Sequence, residues 1–243
     1  MPGPPGLFFG RPFAPHLFLT PRIPDNPARM LELGVKTLIA YLLGSLIGSL
    51  IVGWLRGGVD IRTMGSGNAG GTNALRTQGY WFAFWVMAID IGKGWVAAAW
   101  LPPVSIPFVD IDPSIDRSWL AVACAGAVVL GHVYPVWYGF RGGKGAATLV
   151  GVVLGLKPIA LIPVLIVWLG TVMVSGFVGL ATMLAVASFP VWLVINAGEP
   201  PPSLLTFGCA MLIFVCYTHR ANIARMRSGT ESRAQRLWLL RPR

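Results

Sequence analysis

Three short segments of this 243-residue sequence mix glycines with cations and neutral hydrogen-bond donors. The first polar segment, residues 65–76, reads GSGNAGGTNALR. Glycine frees the backbone to turn its N–H groups toward an anion, and the final arginine can hold a phosphate through two parallel hydrogen bonds. The segment also matches the dinucleotide pattern G-x-G-x-x-G, but we reject that match because an apolar run of membrane length precedes it instead of a strand. The candidate anion-binding residues are Ser66, Gly67, Asn68, Thr72, Asn73 and Arg76.

The second polar segment, residues 139–148, reads GFRGGKGAAT. It does not fit the nucleotide-binding P-loop, because Lys144 is followed by glycine instead of serine or threonine. It does favour phosphate binding, since Arg141 and Lys144 flank Gly142 and Gly143 at the expected start of a helix.

The third polar segment, residues 219–225, reads HRANIAR. His219 and Asn222 are three residues apart and therefore share a helix face, which Arg225 continues. A basic tail that binds anionic lipid explains the later arginines, but it does not require His219 or Asn222.

Two further ionisable groups, Asp90 and Lys93, lie three residues apart inside an apolar run. Ionisable groups within a membrane are costly, so they are either functional or paired. The sequence favours neither reading of this pair, a structural ion pair or a substrate contact. His132, near the end of another apolar run, is best interpreted as a hydrogen-bonded structural histidine.

The composition of the chain identifies the setting of these segments. Hydrophobic residues make up 55% and charged residues 12% of the sequence, and the mean hydropathy is +0.67. Soluble domains carry about 25% charged residues, so both a soluble domain and a disordered chain are excluded. The net charge of +10 is explained by membrane topology and not by nucleic-acid binding. The three cysteines lie in apolar runs without the spacing of metal ligands, so we interpret them as small core residues and expect neither a disulfide framework nor a zinc site.

Uncharged runs predict an all-α, polytopic membrane bundle of about seven transmembrane helices. The segment 56–76 and the arginine-rich tail share one side if an even number of spans separates them. Splitting the apolar run 145–174 at Lys157-Pro158 gives that number and places the acidic connection 102–117 opposite. We therefore predict an outside N-terminus and a cytoplasmic C-terminus. The predicted spans are 37–55, 80–101, 118–134, 145–156, the remainder of the run to 174, 177–196 and 204–218.

The chain divides into three predicted parts. Residues 1–33 are proline-rich and are expected to be a disordered extension, residues 34–226 form the membrane domain, and residues 227–243 form a basic cytoplasmic tail. Within the first span, Gly44 and Gly48 form a small-xxx-small pattern that predicts close helix packing.

The three polar segments, in this order and membrane setting, resemble those of the bacterial acyl-phosphate:glycerol-3-phosphate acyltransferases. The first matches the pattern Gly-Ser-Gly-Asn-x-Gly-Ala-Thr-Asn, with Gly71 in place of alanine. The second matches Phe-Lys-Gly-Gly-Lys-Gly-x-Ala-Thr, with Arg141 in place of the first lysine. The third matches His-Arg-x-Asn-Ile, followed by Gly-Thr-Glu at residues 229–231. The resemblance covers residues 33 to 231.

The resemblance implies an enzyme of phospholipid biosynthesis in the bacterial plasma membrane, with its active site on the cytoplasmic face. It would transfer a fatty acyl group from acyl phosphate to the 1-hydroxyl of glycerol 3-phosphate, giving lysophosphatidic acid and phosphate. We expect a monomer that contacts membrane lipid, without nucleic acid, metal or cofactor. A transporter for an organic phosphate is the alternative, although the polar segments lie at one face instead of the bilayer midplane.

Roles for individual residues follow from the same resemblance. Arg76, Arg141 and Lys144 would hold the two phosphates, together with Gly142, Gly143 and Lys93. Ser66, Thr182 and Asn222 would hydrogen-bond the acyl-phosphate end, and His219 would position glycerol phosphate or act as a base. A substrate phosphate is the alternative base. Thr182 is the weakest match, because Gly179 stands where the family commonly has serine.

Overall fold

The computed structural model describes residues 27–196 and 198–240, with side chains described from residue 31 onward. Ten α-helices and no strand are present in this part of the chain. They are α1 (Pro27–Gly44), α2 (Gly48–Leu55), α3 (Gly71–Gln78), α4 (Tyr80–Trp95), α5 (Arg117–Val133), α6 (Ala146–Leu156), α7 (Leu161–Ser175), α8 (Val178–Asn196), α9 (Pro202–Thr218) and α10 (Arg220–Arg227). One π-helical turn, Val96–Trp100, extends α4.

The apolar helices agree with the predicted multi-pass membrane architecture. Four helices, Tyr80–Trp100, Arg117–Tyr138, Pro158–Ser175 and Val178–Asn196, are long and apolar enough to cross a membrane. Two bent pairs, α1 with α2 and α9 with α10, raise that number to as many as six. The short apolar helix α6 would be the seventh span. At 11 residues it covers about 16 Å, so it cannot cross a hydrocarbon core of about 30 Å alone.

The predicted first span is broken. The chain turns by 48° between α1 and α2 because backbone groups at the break are bound by the buried pair from α4. The Lys93 ammonium donates to the carbonyls of Gly44 and Leu46, both at 2.8 Å, and the Asp90 carboxylate accepts from the Gly48 amide at 3.2 Å. The Lys93 ammonium and the Asp90 carboxylate also form an ion pair with each other at 2.8 Å. Asp90 and Lys93 therefore stabilise a helix break inside the membrane.

Glycines bring neighbouring helices into backbone contact. A side chain on Gly44 would overlap the Val128 backbone of α5, and one on Gly131 would overlap the Tyr41 backbone of α1. Gly48 faces α4 instead, so the small-xxx-small pattern contacts two helices across the break. The same kind of contact holds α6 against α4 and positions the start of α6.

A cluster of ion pairs closes the end of the bundle at which α1 and α5 begin. We call Glu32, Lys36, Asp112 and Arg117 the far-end ion cluster. The Glu32 carboxylate accepts from Lys36 at 2.8 Å, from Arg117 at 2.6 Å and from the Asp112 amide at 3.0 Å. Lys36 also donates to the Pro102 carbonyl at 2.6 Å. Helix α1 begins at Pro27, inside the segment predicted as an extension, and the rest of that segment, 1–26, lies outside the described residues.

The predicted cytoplasmic tail packs against the bundle. Residues 229–240, which we call the C-terminal strap, cover the exposed end of α7. The Arg233 guanidinium lies between the rings of Phe177 and Trp238, about 4.3 and 4.1 Å from their centroids. Amides of the strap donate to the carbonyls of Met173 and Gly176 at 2.9 and 2.8 Å. These contacts satisfy groups that the end of a helix leaves free.

Candidate active site

A cavity of about 400 Å³ lies where the three polar segments meet. It is at the end of the bundle opposite the far-end ion cluster, and we call it the polar cavity. Its lining comprises Gly65, Ser66, Asn68, Gly70, Gly71, Thr72, Asn73, Arg76, Asp90, His132, Lys144, Ala146, Ala147, Val178, Gly179, Thr182, His219, Asn222, Arg225, Glu231 and Ser232.

Three helices begin at the wall of this cavity. The lining includes the first two residues of α3, α6 and α8, which are Gly71 and Thr72, Ala146 and Ala147, and Val178 and Gly179. The first N–H groups of a helix have no partner within it, and the helix dipole places partial positive charge there. Three such ends around one cavity create a site for an anion.

Charged side chains add to this positive potential. Lys144 donates to the Asn222 amide oxygen, and the Asn222 amide nitrogen donates to Glu231 at 2.6 Å. The other Glu231 oxygen accepts from Arg225 at 2.6 Å. Arg76 also faces the cavity, and it has no hydrogen bond or ion pair to any residue that the structure describes. Three cations therefore face one carboxylate, since the Asp90 charge is paired with Lys93.

Burial lowers the pKa of two of these groups. Burial and the nearby Arg225 lower the pKa of Lys144 below its ordinary value, because both disfavour the charged ammonium. Burial likewise lowers the pKa of His219, which follows the last span, to about 4. The His219 Nδ1 lies 2.9 Å from the Val215 carbonyl. The neutral imidazole therefore donates from Nδ1 and leaves Nε2 as an acceptor.

The first polar segment is folded around one side chain. The Asn73 amide nitrogen lies 2.9, 3.1 and 2.9 Å from the carbonyls of Ile61, Met64 and Asn68, and its oxygen accepts from the Ser66 amide at 3.0 Å. Asn73 is thus engaged within the segment, although we predicted it as a substrate contact. By contrast, the Ser66 hydroxyl has no hydrogen bond to the described residues.

Several predicted substrate contacts lie outside the cavity. Gly142 and Gly143 donate their amides to the carbonyls of Val133 and His132, both at 3.1 Å, so these N–H groups are not available to an anion. Their side-chain positions are filled by α5, including the His132 ring. The Arg141 side chain is exposed and does not line the cavity.

Lys93 and Gly67 are also absent from the cavity wall. Lys93 is 4% exposed and engaged by Asp90 and two carbonyls, and these contacts are those of a structural ion pair. Gly67 adopts a φ of +71°, which explains the glycine by backbone conformation. His132 is buried beside Asp90, with Nδ1 3.4 Å from its carboxylate, at the floor of the cavity.

A second cavity, of about 420 Å³, adjoins the first. We call it the apolar cavity. Both cavities share Gly71, Thr72, Ala146, Ala147, Val178 and Thr182. Thr182 is 5% exposed and accepts from the Trp168 indole at 3.4 Å, so its hydroxyl lies at the junction. The remaining lining is Met87, Ile91, Leu149, Val150, Val153, Val164, Leu165, Trp168, Ala185, Val186, Phe189, Phe207, Gly208 and Met211.

Comparison with known proteins assigns the family. The sequence model of one protein family, glycerol-3-phosphate acyltransferase, matches residues 35–229 of this chain. The chain belongs to this family. Glycerol-3-phosphate acyltransferases of Chlorobium limicola and Chlorobaculum tepidum are 36% and 37% identical to it. The matches cover 84% and 80% of this chain, and 97% and 93% of the relatives.

Solved structures agree with the assignment. PlsY, described as an integral membrane glycerol 3-phosphate acyltransferase, has been crystallised in a glycerol 3-phosphate form and a lysophosphatidic acid form. The first is 35% identical, with a TM-score of 0.71 over 83% of this chain and 94% of that chain. The second is 33% identical, with a TM-score of 0.70 over 84% and 97%. The prediction of a multi-pass membrane acyltransferase of phospholipid biosynthesis is therefore confirmed.

The predicted site lacked several residues of the acyltransferase cavity, among them Arg225 and Glu231, the ion pair in its wall. Arg225 lies three residues after Asn222 on α10, and this helical spacing was a signal for it. Glu231 belongs to the Gly-Thr-Glu match but carries no signal for a cavity position, because the chain must fold back over α10 to place it there.

Proposed function

We propose that this protein transfers a fatty acyl group from acyl phosphate to the 1-hydroxyl of glycerol 3-phosphate. The products are lysophosphatidic acid and phosphate. One observation carries the proposal, namely that a cationic cavity and an apolar cavity share a wall. An acyl phosphate has one apolar and one anionic part, and its reacting carbonyl lies between them. The shared wall is where that carbonyl would lie.

The polar cavity would hold the phosphates of both substrates. The starts of α3, α6 and α8 supply N–H groups, and Arg76, Lys144 and Arg225 supply charge. A phosphate dianion balances the excess of cations over carboxylate, which a neutral ligand would not. The PlsY forms with glycerol 3-phosphate and lysophosphatidic acid support this assignment for a chain that is about one third identical to them.

The apolar cavity would hold the acyl chain. Its deep wall contains the buried residues Val164, Phe189, Phe207 and Met211, whereas the side chains of Met87 and Leu165 are 44% and 46% exposed. Lipid tails are as apolar as this lining, so an acyl chain passes from the membrane into the cavity at little cost in free energy. The exposed edge between α4 and α7 gives the acyl chain of the substrate a lateral path from the lipid into the cavity.

The chemistry is a single acyl transfer. The substrate hydroxyl oxygen bonds to the acyl carbonyl carbon, the bond from that carbon to the phosphate oxygen breaks, and phosphate leaves with the electron pair. Because phosphate is already a good leaving group, no covalent intermediate with the enzyme is needed. Ser66 donates a hydrogen bond to the acyl-phosphate end, and Asn222 orients Lys144. The Thr182 hydroxyl donates to the Val178 carbonyl at 2.9 Å, so Thr182 contributes to the wall at the junction and not a hydrogen bond to substrate.

The hydroxyl proton would pass to a substrate phosphate. A phosphate monoester has a second pKa of about 6, whereas burial lowers the pKa of His219 to about 4. The phosphate is therefore the stronger base of the two. The His219 Nε2 accepts a hydrogen bond from substrate and orients it, which makes His219 a binding group.

We place the polar cavity on the cytoplasmic side of the bacterial plasma membrane. The cationic residues near the cavity end outnumber the acidic ones, as the positive-inside rule requires of that side. The cations are Arg56, Arg62, Arg76, Arg141, Lys144, Arg220, Arg225, Arg227, Arg233 and Arg236, against Asp60 and Glu231. The opposite end carries Glu32, Asp110, Asp112, Asp116 and Glu199 against Lys36, Arg117 and Lys157. Seven spans, with α6 as a short span that starts from a polar segment buried in protein, an outside N-terminus and a monomer complete the proposal.

The test uses the full chain purified in detergent. Incubation with palmitoyl phosphate and labelled glycerol 3-phosphate is expected to give labelled lysophosphatidic acid and one phosphate per product. The variant Lys157→Gln, at the opposite end, is the matched control and should retain full activity. Product from palmitoyl-CoA but not from palmitoyl phosphate would overturn the donor assignment. Uptake of glycerol 3-phosphate into proteoliposomes without product would identify a transporter instead.

A further inference from the structure

We propose that Arg62 is a positioning residue that fixes the position of the second polar segment relative to the first. Arg62 does not line either cavity. It acts on the site through the backbone of the second segment. The inference rests on the proposed function only for its kinetic readout.

We call Arg62 and the groups that it binds the Arg62 clamp. One end of this clamp is the turn before the first polar segment. The Asp60 carboxylate accepts the Arg62 amide at 2.9 Å and starts the helical turn Ile61–Thr63. Both oxygens of the same carboxylate accept from the Arg62 guanidinium. Nε lies 3.0 Å from Oδ1 and 3.1 Å from Oδ2, and one terminal nitrogen lies 2.8 Å from Oδ2. A bidentate pairing fixes the plane of the guanidinium as well as its position. The Asp60 carboxylate in the same turn therefore fixes the orientation of the Arg62 side chain.

The other end of the clamp is the start of the second polar segment. The remaining terminal nitrogen of Arg62 donates to the carbonyls of Tyr138 and Arg141 at 3.2 and 3.0 Å. These carbonyls flank the residues at which the chain takes positive φ, Gly139 at +64° and Phe140 at +59°. Arg62 thus binds both ends of a tight turn that leads to Lys144, three residues beyond Arg141.

Apolar packing adds a second tie between the two segments. The Tyr138 ring packs against a buried cluster that contains Ile47, Leu50 and Ala69, and Ala69 belongs to the first polar segment. The Arg62 guanidinium lies 5.9 Å from the centre of the same ring. Tyr138 therefore contacts the first segment with its side chain and Arg62 with its carbonyl.

The same short turn also fixes the first segment. Asn73 donates to the carbonyls of Ile61, directly before Arg62, and of Met64, two residues after it. One turn therefore sets the position of the Ser66 donors on one side of the cavity and of Lys144 on the other. Because a misplacement of about 1 Å can cost 100-fold in rate, a residue that sets this separation affects substrate binding without touching substrate.

The test compares Arg62→Gln with Arg56→Gln. Arg56 lies on the same end of the bundle and is exposed, so the control removes the same charge without the clamp. In Arg62→Gln we expect faster hydrogen exchange of the amides in residues 138–145. We also expect a rise of about tenfold in KM for at least one phosphate substrate, with kcat changing less. Arg62→Lys should recover part of the KM change, because an ammonium can still reach a carbonyl.

The readouts separate this proposal from its alternatives. A loss of folded protein would lower apparent kcat and leave KM unchanged, so unchanged KM values overturn the positioning role. Equal effects in Arg56→Gln would overturn it too, since they would be due to charge alone. If the wild-type chain makes no lysophosphatidic acid, the proposed function fails, and the exchange of residues 138–145 still decides the clamp. Unchanged exchange in Arg62→Gln overturns the clamp whatever the activity.

Discussion

The far-end ion cluster and the polar cavity both bury charged side chains, but they differ in how those charges are satisfied. In the far-end ion cluster, both oxygens of Glu32 accept hydrogen bonds, and Lys36 donates to a carboxylate and a carbonyl. Glu32 and Lys36 are 0% and 1% exposed. In the polar cavity, cations exceed carboxylates, and Arg76 has no charged partner among the described residues.

This difference separates a structural ion cluster from the proposed binding site. A buried charge without its partner costs several kcal/mol, so a fully paired cluster is tied to the stability of the fold. An excess of positive charge beside three helix starts instead leaves free energy to be gained by binding an anion. We therefore expect substitutions at the two ends to affect different measurements.

The largest effect is expected at the far end. Glu32→Gln removes the charge that Lys36 and Arg117 share, and it should lower the free energy of unfolding by about 3–5 kcal/mol. Enzyme that remains folded should keep its KM values. Unfolding in detergent measures the first quantity and steady-state kinetics the second. Glu199→Gln, an exposed change at the same end, should stay within about 0.5 kcal/mol of wild type. Normal stability with lost activity in Glu32→Gln would contradict the comparison.

The reverse pattern is expected in the polar cavity. Lys144→Gln should reduce kcat/KM by about 100-fold, because it removes a charged, partly buried donor from the proposed phosphate site. Stability should not fall, since burial lowers the pKa of Lys144 and its charge therefore opposes folding. Kinetics and thermal unfolding are measured on the same preparations, with Lys157→Gln as the control. A large drop in thermal stability would place Lys144 with the structural ion clusters.

The sequence predicts the membrane helices well because each span needs a long apolar run. The runs beginning near Tyr80, Arg117 and Val178 each became one helix with ends within a few residues of those predicted. The break between α1 and α2 was not predictable from the run itself, which is uncharged from residue 37 to 55. It depends on Asp90 and Lys93 from another helix, and such a contact leaves no local signal.

The site was predictable where chemistry and spacing coincide. Lys144, His219 and Asn222 were identified from cations and helical spacing, and the structure brings them to one cavity. Glycines were harder to interpret, because a glycine can bind an anion through its amide, adopt a positive φ or allow two helices to pack closely. Gly143 was assigned to phosphate binding, whereas its amide binds an α5 carbonyl. Only three-dimensional contacts separate these roles.

Gly143 tests this distinction directly. In Gly143→Ala the new methyl group would overlap the buried His132 ring, so we expect a loss of about 1–3 kcal/mol in unfolding free energy together with reduced activity. Gly126→Ala on α5 has open space, so it should leave activity unchanged and should not lower the unfolding free energy, because alanine favours a helix over glycine. Thermal unfolding and kinetics of the two variants are compared. If Gly143→Ala raised KM with normal stability, the glycine would be a phosphate contact after all.

The smallest effect concerns the Arg62 clamp, whose ion pair is partly exposed. The hydrogen bonds from Arg62 hold the pKa of Asp60 below its usual value. A carboxyl with a lowered pKa in the folded state stabilises the fold above its unfolded pKa of about 4, and this contribution is lost as pH falls through the folded value. The free energy of unfolding of Asp60→Asn should therefore lie below wild type by about 0.2–1 kcal/mol at pH 7, and the difference should shrink below pH 4. Titration of unfolding midpoints from pH 7 to pH 3 measures it. A difference that stays constant with pH would mean that Asp60 acts through its hydrogen-bond geometry and not through its charge.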